Sequence, residues 1–296
     1  MSGADIVLVT ASRMPKPDPE SDLVVAALAR RGLAATIHPW DQPLDWTSFA
    51  LVVCRTPWDY FHRLDEFLAW ARGVVAGTTL VNPLQTIAWN AHKSYLLDLE
   101  RAGVPIVPTV LVGRDAEAGE RARALSRFDH AVVKPAVAGG ALGALRVDAT
   151  VDAATAESHL RGLLTDRDAL VQPFVDAVQT RGETSLIFFD GALSHCVRKV
   201  PAAGDFRVHE LHGGRVLAHD PTDAELEVAR GALGVAPTAT VYARIDLVPG
   251  PGGPAVMEAE LIEPELFLPR SPGAADRFAA ALAGCLPTAS RDSYAS

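Results

Sequence analysis

Tyr242-Ala243-Arg244-Ile245-Asp246-Leu247 and, after a Pro/Gly-rich break, Val256-Met257-Glu258-Ala259-Glu260 are two apolar runs with charges at every second position. Side chains alternate along a strand, so Arg244 and Asp246 share one face of the first run and Glu258 and Glu260 share one face of the second. Carboxylates two residues apart on a buried face repel each other and lose hydration unless a cation sits between them. Oxygen-only ligands of this kind suit Mg²⁺, which takes a few carboxylates plus substrate phosphates. Taken alone, the same residues also fit a solvated sheet edge.

Upstream, Ala131-Val132-Val133-Lys134-Pro135 ends an apolar strand on a lysine, followed by Ala138-Gly139-Gly140-Ala141-Leu142-Gly143. A strand lysine needs a partner for its charge, and a glycine-rich loop lets backbone N–H groups approach an anion. No Gly-Lys-Ser/Thr follows, so this is not a Walker loop, and no Rossmann fingerprint is present. A strand lysine, a flexible loop and an acidic strand pair together suggest nucleotide phosphates held between lysines and Mg²⁺.

The order of Lys93, Lys134 with its loop, Gln172-Pro173-Phe174-Val175, Glu183, Arg207, Asp246, Glu258 and Glu260 resembles the ATP-grasp superfamily. Tyr242-x-Arg244-x-Asp246 resembles its D-alanine–D-alanine ligase branch, and Gly204-Asp205-Phe206-Arg207 its glutathione synthetase-like branch. Most members carry asparagine where this chain has Glu260, which changes the charge of the site. Arg55-Thr56-Pro57-Trp58-Asp59-Tyr60 and Glu260-Leu261-Ile262-Glu263-Pro264 resemble the cyclo-ligases that convert O-ureido-serine to cycloserine.

The resemblance implies an α/β (α+β) ATP-grasp fold: a parallel α/β domain over 1–90, a central lid subdomain over 91–173, and a C-terminal subdomain over 174–296 carrying the metal site. It implies ATP and two Mg²⁺ ions as cofactors. Lys93 and Lys134 would hold phosphates, with Gly139, Gly140 and Gly143 closing over them as a lid. Gln172, Pro173, Phe174 and Val175 would form the hinge whose backbone reads adenine, although a buried strand end explains these four residues equally well. Glu183 would meet the ribose hydroxyls. Asp246, Glu258 and Glu260 would bind the metal. Arg198, Lys199 and Arg207 would lie beside the γ-phosphate, since arginine suits bidentate phosphate contacts. Arg244 would stabilise charge on the reacting carboxylate, or else pair structurally with Asp246 or Glu258.

With 296 residues, 49% hydrophobic and 21% charged, the chain reads as an ordinary globular protein with ample core. A net charge of −9 argues against a general nucleic-acid or acidic-membrane binder. No apolar segment reaches the roughly 18 residues of a membrane span, and no signal peptide is evident. Cys54, Cys196 and Cys285 lack Cys-x-x-Cys spacing, and a reduced, cytoplasmic protein is the expectation. A homo-oligomer is compatible with this reading.

Strands at 6–9, 36–38 and 51–54 alternate with helices at 21–30 and 64–72, the pattern of a parallel unit. Ligands in such sheets sit beyond the C-terminal strand ends. That places Thr10 to Arg13, including Ser12, and Arg55 to Tyr60 together at a substrate edge. Arg55 would anchor a carboxylate or ureido oxygen, Asp59 an ammonium group, and Trp58 would exclude water or else be core. Farther on, the pattern predicts a helix over 90–101 with Lys93 in its first turn, and a hairpin around Asp190-Gly191. Helices over 223–233 and 273–285 follow. His209, His212 and His219 lack zinc spacing, and no Gly-x-Ser-x-Gly supports hydrolysis.

The expected activity is an ATP-dependent ligase acting through an acylphosphate that a nitrogen attacks, in a small amino-acid-derived substrate. Intramolecular ring closure is the first reading; an intermolecular amino-acid ligase and a non-catalytic nucleotide-binding regulator are the alternatives. The complete set of lysines, arginines and acids disfavours the regulator.

Overall fold

Ile6–Thr10 (β1), Ala35–Pro39 (β2), Leu51–Thr56 (β3) and Thr79–Val81 (β4) form a parallel sheet in the order β2-β1-β3-β4. The structure, a computed structural model, describes residues 5–202 and 213–287. Burial on both faces explains the unbroken Ile-Val-Leu-Val and Leu-Val-Val-Cys runs of the two central strands. Ser21–Ala29 (α1) and Leu64–Val75 (α2) cover the sheet. In α2, Phe67, Ala71 and Val74 recur at helical spacing and point inward. The loops after β1 and β3 meet as expected, with the Thr56 hydroxyl donating to that of Thr10 at 3.0 Å.

Where one helix was expected over 90–101, the chain makes two, Leu84–Asn90 (α3) and Tyr95–Arg101 (α4). The break falls on His92, Lys93 and Ser94, for a local reason. His92 Nδ1 accepts the Ser94 backbone N–H (3.2 Å), and the Lys93 N–H donates sideways to the Ala136 carbonyl (2.8 Å). These contacts take donors that a continuous helix would use within itself.

Val110–Val112 (β5), Ala131–Pro135 (β6), Leu145–Val147 (β7) and Ala169–Pro173 (β8) form an antiparallel sheet, order β5-β8-β6-β7. Ala118–Leu125 (α5) and Ala153–Leu163 (α6) pack on it around Val133, Leu160 and Val171. The short helix Ala177–Arg181 (α7) leads to a second antiparallel sheet. It is built from Glu183–Phe189 (β9), Ala192–Val200 (β10), Arg215–Ala218 (β11), Tyr242–Gly250 (β12) and Gly253–Glu260 (β13), order β11-β10-β9-β12-β13. Asp190 and Gly191 both have positive φ (49° and 73°), which a two-residue hairpin turn of this kind requires. Asp223–Val235 (α8) backs this sheet behind a Thr222/Glu225 capping box.

Ala274–Gly284 (α9) returns to the start of the chain. Phe278, Ala279 and Leu282 share one buried cluster with Ile6, Leu8, Val24 and Leu28 of the first sheet layer, and with Ile187 and Phe189 of β9. The parallel sheet therefore completes its core with residues from the other end of the sequence. No helix among the described residues is long and apolar enough to cross a membrane.

Candidate active site

The strand register assembles the site. Across β12 and β13, Arg244 lies opposite Glu260 and Asp246 opposite Glu258; across β9, Asp246 lies opposite Ser185. On β10, Lys199 lies opposite Glu183. One sheet face thus carries Glu183, Ser185, Lys199, Arg244, Asp246, Glu258 and Glu260 in alternating charge. Met257 is an extra residue in β13, because Leu247 pairs with Val256 while Asp246 pairs with Glu258. Such a bulge re-aims side chains, and the Met257 sulfur lies 4.0 Å from Lys134 Nζ.

Asp246, 2% exposed, is the hub. It accepts from Ser185 Oγ (2.5 Å), Lys199 Nζ (3.1 Å) and the Arg244 Nε and Nη2 groups (3.1 and 3.0 Å). Burial acts to raise its pKa, but Arg244 and Lys199 outweigh that and hold it well below the usual carboxylate range. Lys199 also pairs with Glu183, and Arg244 with Glu260. Lys93 Nζ sits 3.0 Å from Glu258 and donates to the Ala138 carbonyl at 2.6 Å, tying the break between α3 and α4 to both the acidic strand and the glycine loop. Lys134 has no carboxylate within 4 Å among the described residues, and burial lowers its pKa. Its amine faces the Met257 sulfur, with Glu258 the acidic group that favours its charge.

Acids outnumber cations at the β13 end. Burial pushes Glu260 up to about 7, with Glu258 and Asp246 adding to the shift and Arg244 opposing it. Burial likewise raises Glu263 to about 8, with repulsion from Glu260 and Glu258 added. This oxygen-only, electron-rich donor set fits a hard divalent cation. Asp246, Glu258 and Glu260 do share the face, yet among the described residues no three acidic, histidine or cysteine side chains converge as a ready-made cage. The carboxylates are turned toward Arg244, Lys199 and Lys93 instead.

The loop over 138–143 has Gly140, Ala141 and Gly143 at positive φ (61°, 60° and 73°), and Gly139 abuts the Phe61 ring. A Cβ at Gly143 would meet Pro135 at 3.1 Å. Gln172 donates to Thr109 Oγ1 (2.9 Å), and the Phe174 N–H donates to the His130 carbonyl, beneath the Arg146 guanidinium. Pro173 ends β8. Val175 joins Val107, Val178, Val248 and Met257 in a small apolar cluster beside this turn. That cluster escaped the sequence reading, since its members come from four separate segments.

Several expected site residues lie elsewhere. Arg198 and Lys199 are consecutive in β10, so they point to opposite faces. Arg198 donates to His219 Nε2 (2.8 Å) on the α8 side, away from Lys199 and Asp246. Arg55 is fully buried and paired with Glu20 at 3.0 Å, so it presents no group to a substrate. Asp59 accepts from Trp40 Nε1 (2.9 Å) and Arg63 (2.6 Å), which leaves no open ammonium site, and Tyr60 is buried against Phe67. Ser12 is exposed and bound to Asp41; Arg13 is exposed. Trp58 does face the acidic strand's continuation, donating to the Glu263 carbonyl at 3.0 Å. Arg207, His209 and His212 lie outside the described residues. Sequence reasoning missed Lys16, whose amine sits 4.7 Å from the Trp58 ring and pairs with Glu265; its only signal was a cation in the proline loop after β1.

A family profile described as the N-terminal domain of D-cycloserine synthetase DcsG matches residues 6–82, and one described as the prokaryotic glutathione synthetase ATP-grasp domain matches 101–246. The cycloserine biosynthesis protein DcsG of Streptomyces lavendulae is 35% identical over 292 residues, covering 94% of this chain and 97% of that protein. The chain belongs to the DcsG-like ATP-grasp ligases. The crystal structure of D-cycloserine synthetase DcsG superposes on this DcsG-like chain with a TM-score of 0.87 at 33% identity, covering 95% of this chain and 99% of the other. D-alanine–D-alanine ligase from Bacillus anthracis complexed with ATP shares the fold at 14% identity and a TM-score of 0.62, with 99% of each chain covered. As a DcsG-like ligase, the protein is an enzyme that forms a carbon–nitrogen bond.

Proposed function

We propose that this ligase binds ATP and Mg²⁺, activates the carboxylate of a small amino-acid-type substrate as an acylphosphate, and closes a ring by intramolecular attack of nitrogen, converting O-ureido-serine to cycloserine. The observation that carries the reading is where the likeness lies. It runs through the N-terminal sheet as well as the charged ladder, with separate matches over 6–82 and 101–246, rather than through the nucleotide-binding half alone.

In this reading a carboxylate oxygen attacks the γ-phosphorus and ADP leaves. The oxygen-bound nitrogen of the ureido group then attacks the acyl carbon, and phosphate departs with the electrons of the broken C–O bond. Hydrolytic loss of the carbamoyl group leaves cycloserine. Lys93 and Lys134 hold the phosphates, and Arg244 neutralises charge developing on the carboxylate and on the tetrahedral oxyanion. Lys199 keeps Asp246 and Glu183 apart as a fixed counter-charge. Asp246, Glu258 and Glu260 are the residues to hold Mg²⁺, which when bound neutralises the ATP phosphates. Trp58 walls the side from which water would reach the acylphosphate, and excluding water matters because hydrolysis competes with ring closure. No side-chain nucleophile is required; positioning and charge supply the catalysis.

Incubation with ATP, Mg²⁺ and O-ureido-serine as the sole amino acid tests the reading. ADP with cycloserine is the expected result. ADP formation only when a second amino acid is supplied would replace ring closure by intermolecular ligation.

A further inference from the structure

Glu20 and Arg55 form a salt bridge that neither solvent nor a substrate reaches, at 1% and 0% exposure. A buried ion pair is a poor device for stability, because apolar residues of similar volume commonly do as well or better. What this pair does instead is grip a second piece of chain. Glu20 Oε2 accepts the Leu266 N–H and Oε1 the Leu268 N–H, both at 2.8 Å, while Arg55 Nη1 donates to the Pro264 carbonyl at 3.3 Å. From the sheet side, His195 Nε2 lies 2.8 Å from the Leu266 carbonyl. The gripped segment runs through Phe267 at φ 52°, a left-handed conformation that a non-glycine residue keeps only where its surroundings dictate it.

Inside this gripped segment lies Glu265. Its backbone carbonyl accepts from Arg244 Nη1 at 3.1 Å. The other partners of the Arg244 guanidinium, Asp246 and Glu260, are carboxylates that partly cancel its charge. The carbonyl is neutral, so it fixes the orientation of the guanidinium without adding to that cancellation.

We infer that Glu20 and Arg55 are positioning residues for ligation: from the N-terminal domain they lock the 264–268 crossover, and through the Glu265 carbonyl they set the Arg244 guanidinium. The inference rests on the catalytic reading of Arg244. A displacement of about 1 Å in a positioned group can lower turnover about 100-fold, so the device acts on kcat and leaves ATP binding alone.

The test is a cycle of Glu20→Gln, Arg244→Lys and the double variant, in the full-length enzyme assayed well below its melting temperature. Glutamine keeps the volume of Glu20, but its amide nitrogen cannot accept, so the Leu266 or the Leu268 N–H loses its partner. The expected result is a kcat about tenfold lower in Glu20→Gln with the KM for ATP within twofold of the parent. The double variant then turns over within twofold of Arg244→Lys, because both changes act on one group. Two results overturn the inference: unchanged kcat in Glu20→Gln, or losses that multiply in the double variant. Should Arg244→Lys itself match the parent, the catalytic reading of Arg244 fails, a result separable from failure of the clamp. If Glu20→Gln does not fold, Arg55→Lys takes its place in the same cycle, keeping the charge opposite Glu20 but losing the second arm to the Pro264 carbonyl.

Discussion

Replacing Asp246 with asparagine tests the centre of the site, because its size can be worked from the contacts. The side chain keeps its shape but loses the charge that binds two buried cations. Breaking a buried ion pair outright costs about 3–5 kcal/mol when it strands the partner. Here neither partner is stranded: Lys199 retains Glu183, and Arg244 retains Glu260 and the Glu265 carbonyl. The lower end, about 3 kcal/mol, is therefore expected, or a melting-temperature loss of about 6 °C at roughly 2 °C per kcal/mol for a chain of this size. The pH dependence has a definite sign. Asp246 holds its proton less tightly folded than unfolded, so its contribution is present above its ordinary value of 3.8 and disappears as pH falls below it. The gap between the thermal melts of parent and variant should be larger at pH 5 than at pH 3 and should keep narrowing as pH falls further. ADP release at pH 7 should fall at least about 1,000-fold, since the change removes a preorganised charge from the phosphoryl-transfer site. Equal melting temperatures at pH 7 would refute the view of Asp246 as the electrostatic hub.

Two other changes separate the lysines beside the acidic strand from the arginine on the α8 side of the five-stranded sheet. Lys93→Ala with Lys134→Ala should raise the KM for ATP at least tenfold in an ADP-release assay; an unchanged KM would remove both lysines from phosphate binding. Arg198→Ala should leave the KM for ATP within twofold, because its guanidinium bonds His219 on the α8 side, while lowering stability by about 1 kcal/mol through that lost hydrogen bond.

The strand face that matters most was open to reading because it depends only on alternation. Arg244, Asp246, Glu258 and Glu260 needed the period of two and one pairing to come together. The same rule, applied one residue farther, would have separated Arg198 from Lys199; grouping them as a local basic cluster hid it. Arg55 misled for a different reason. An arginine at the C-terminal end of a parallel strand commonly meets a ligand, and only the tertiary fold reveals that Glu20, 35 residues upstream, has taken it. The break at Lys93 was concealed because His92 and Ser94 fit a helical pattern, and the competing acceptor, the Ala136 carbonyl, lies just beyond β6, more than 40 residues along the chain. Composition and spacing report local preference; partners supplied from far along the chain are settled only by packing.

The shared cluster of α9 with β1 and α1 has a consequence for biosynthesis. Domains commonly fold as they leave the ribosome, N-terminal first. Here Ile6, Leu8, Val24 and Leu28 wait for Phe278, Ala279 and Leu282. Some 270 residues separate β1 from the helix that completes this cluster. Until α9 emerges, a growing chain of this ligase keeps the α9-facing part of that apolar layer open, which gives it a sticky patch during much of its synthesis.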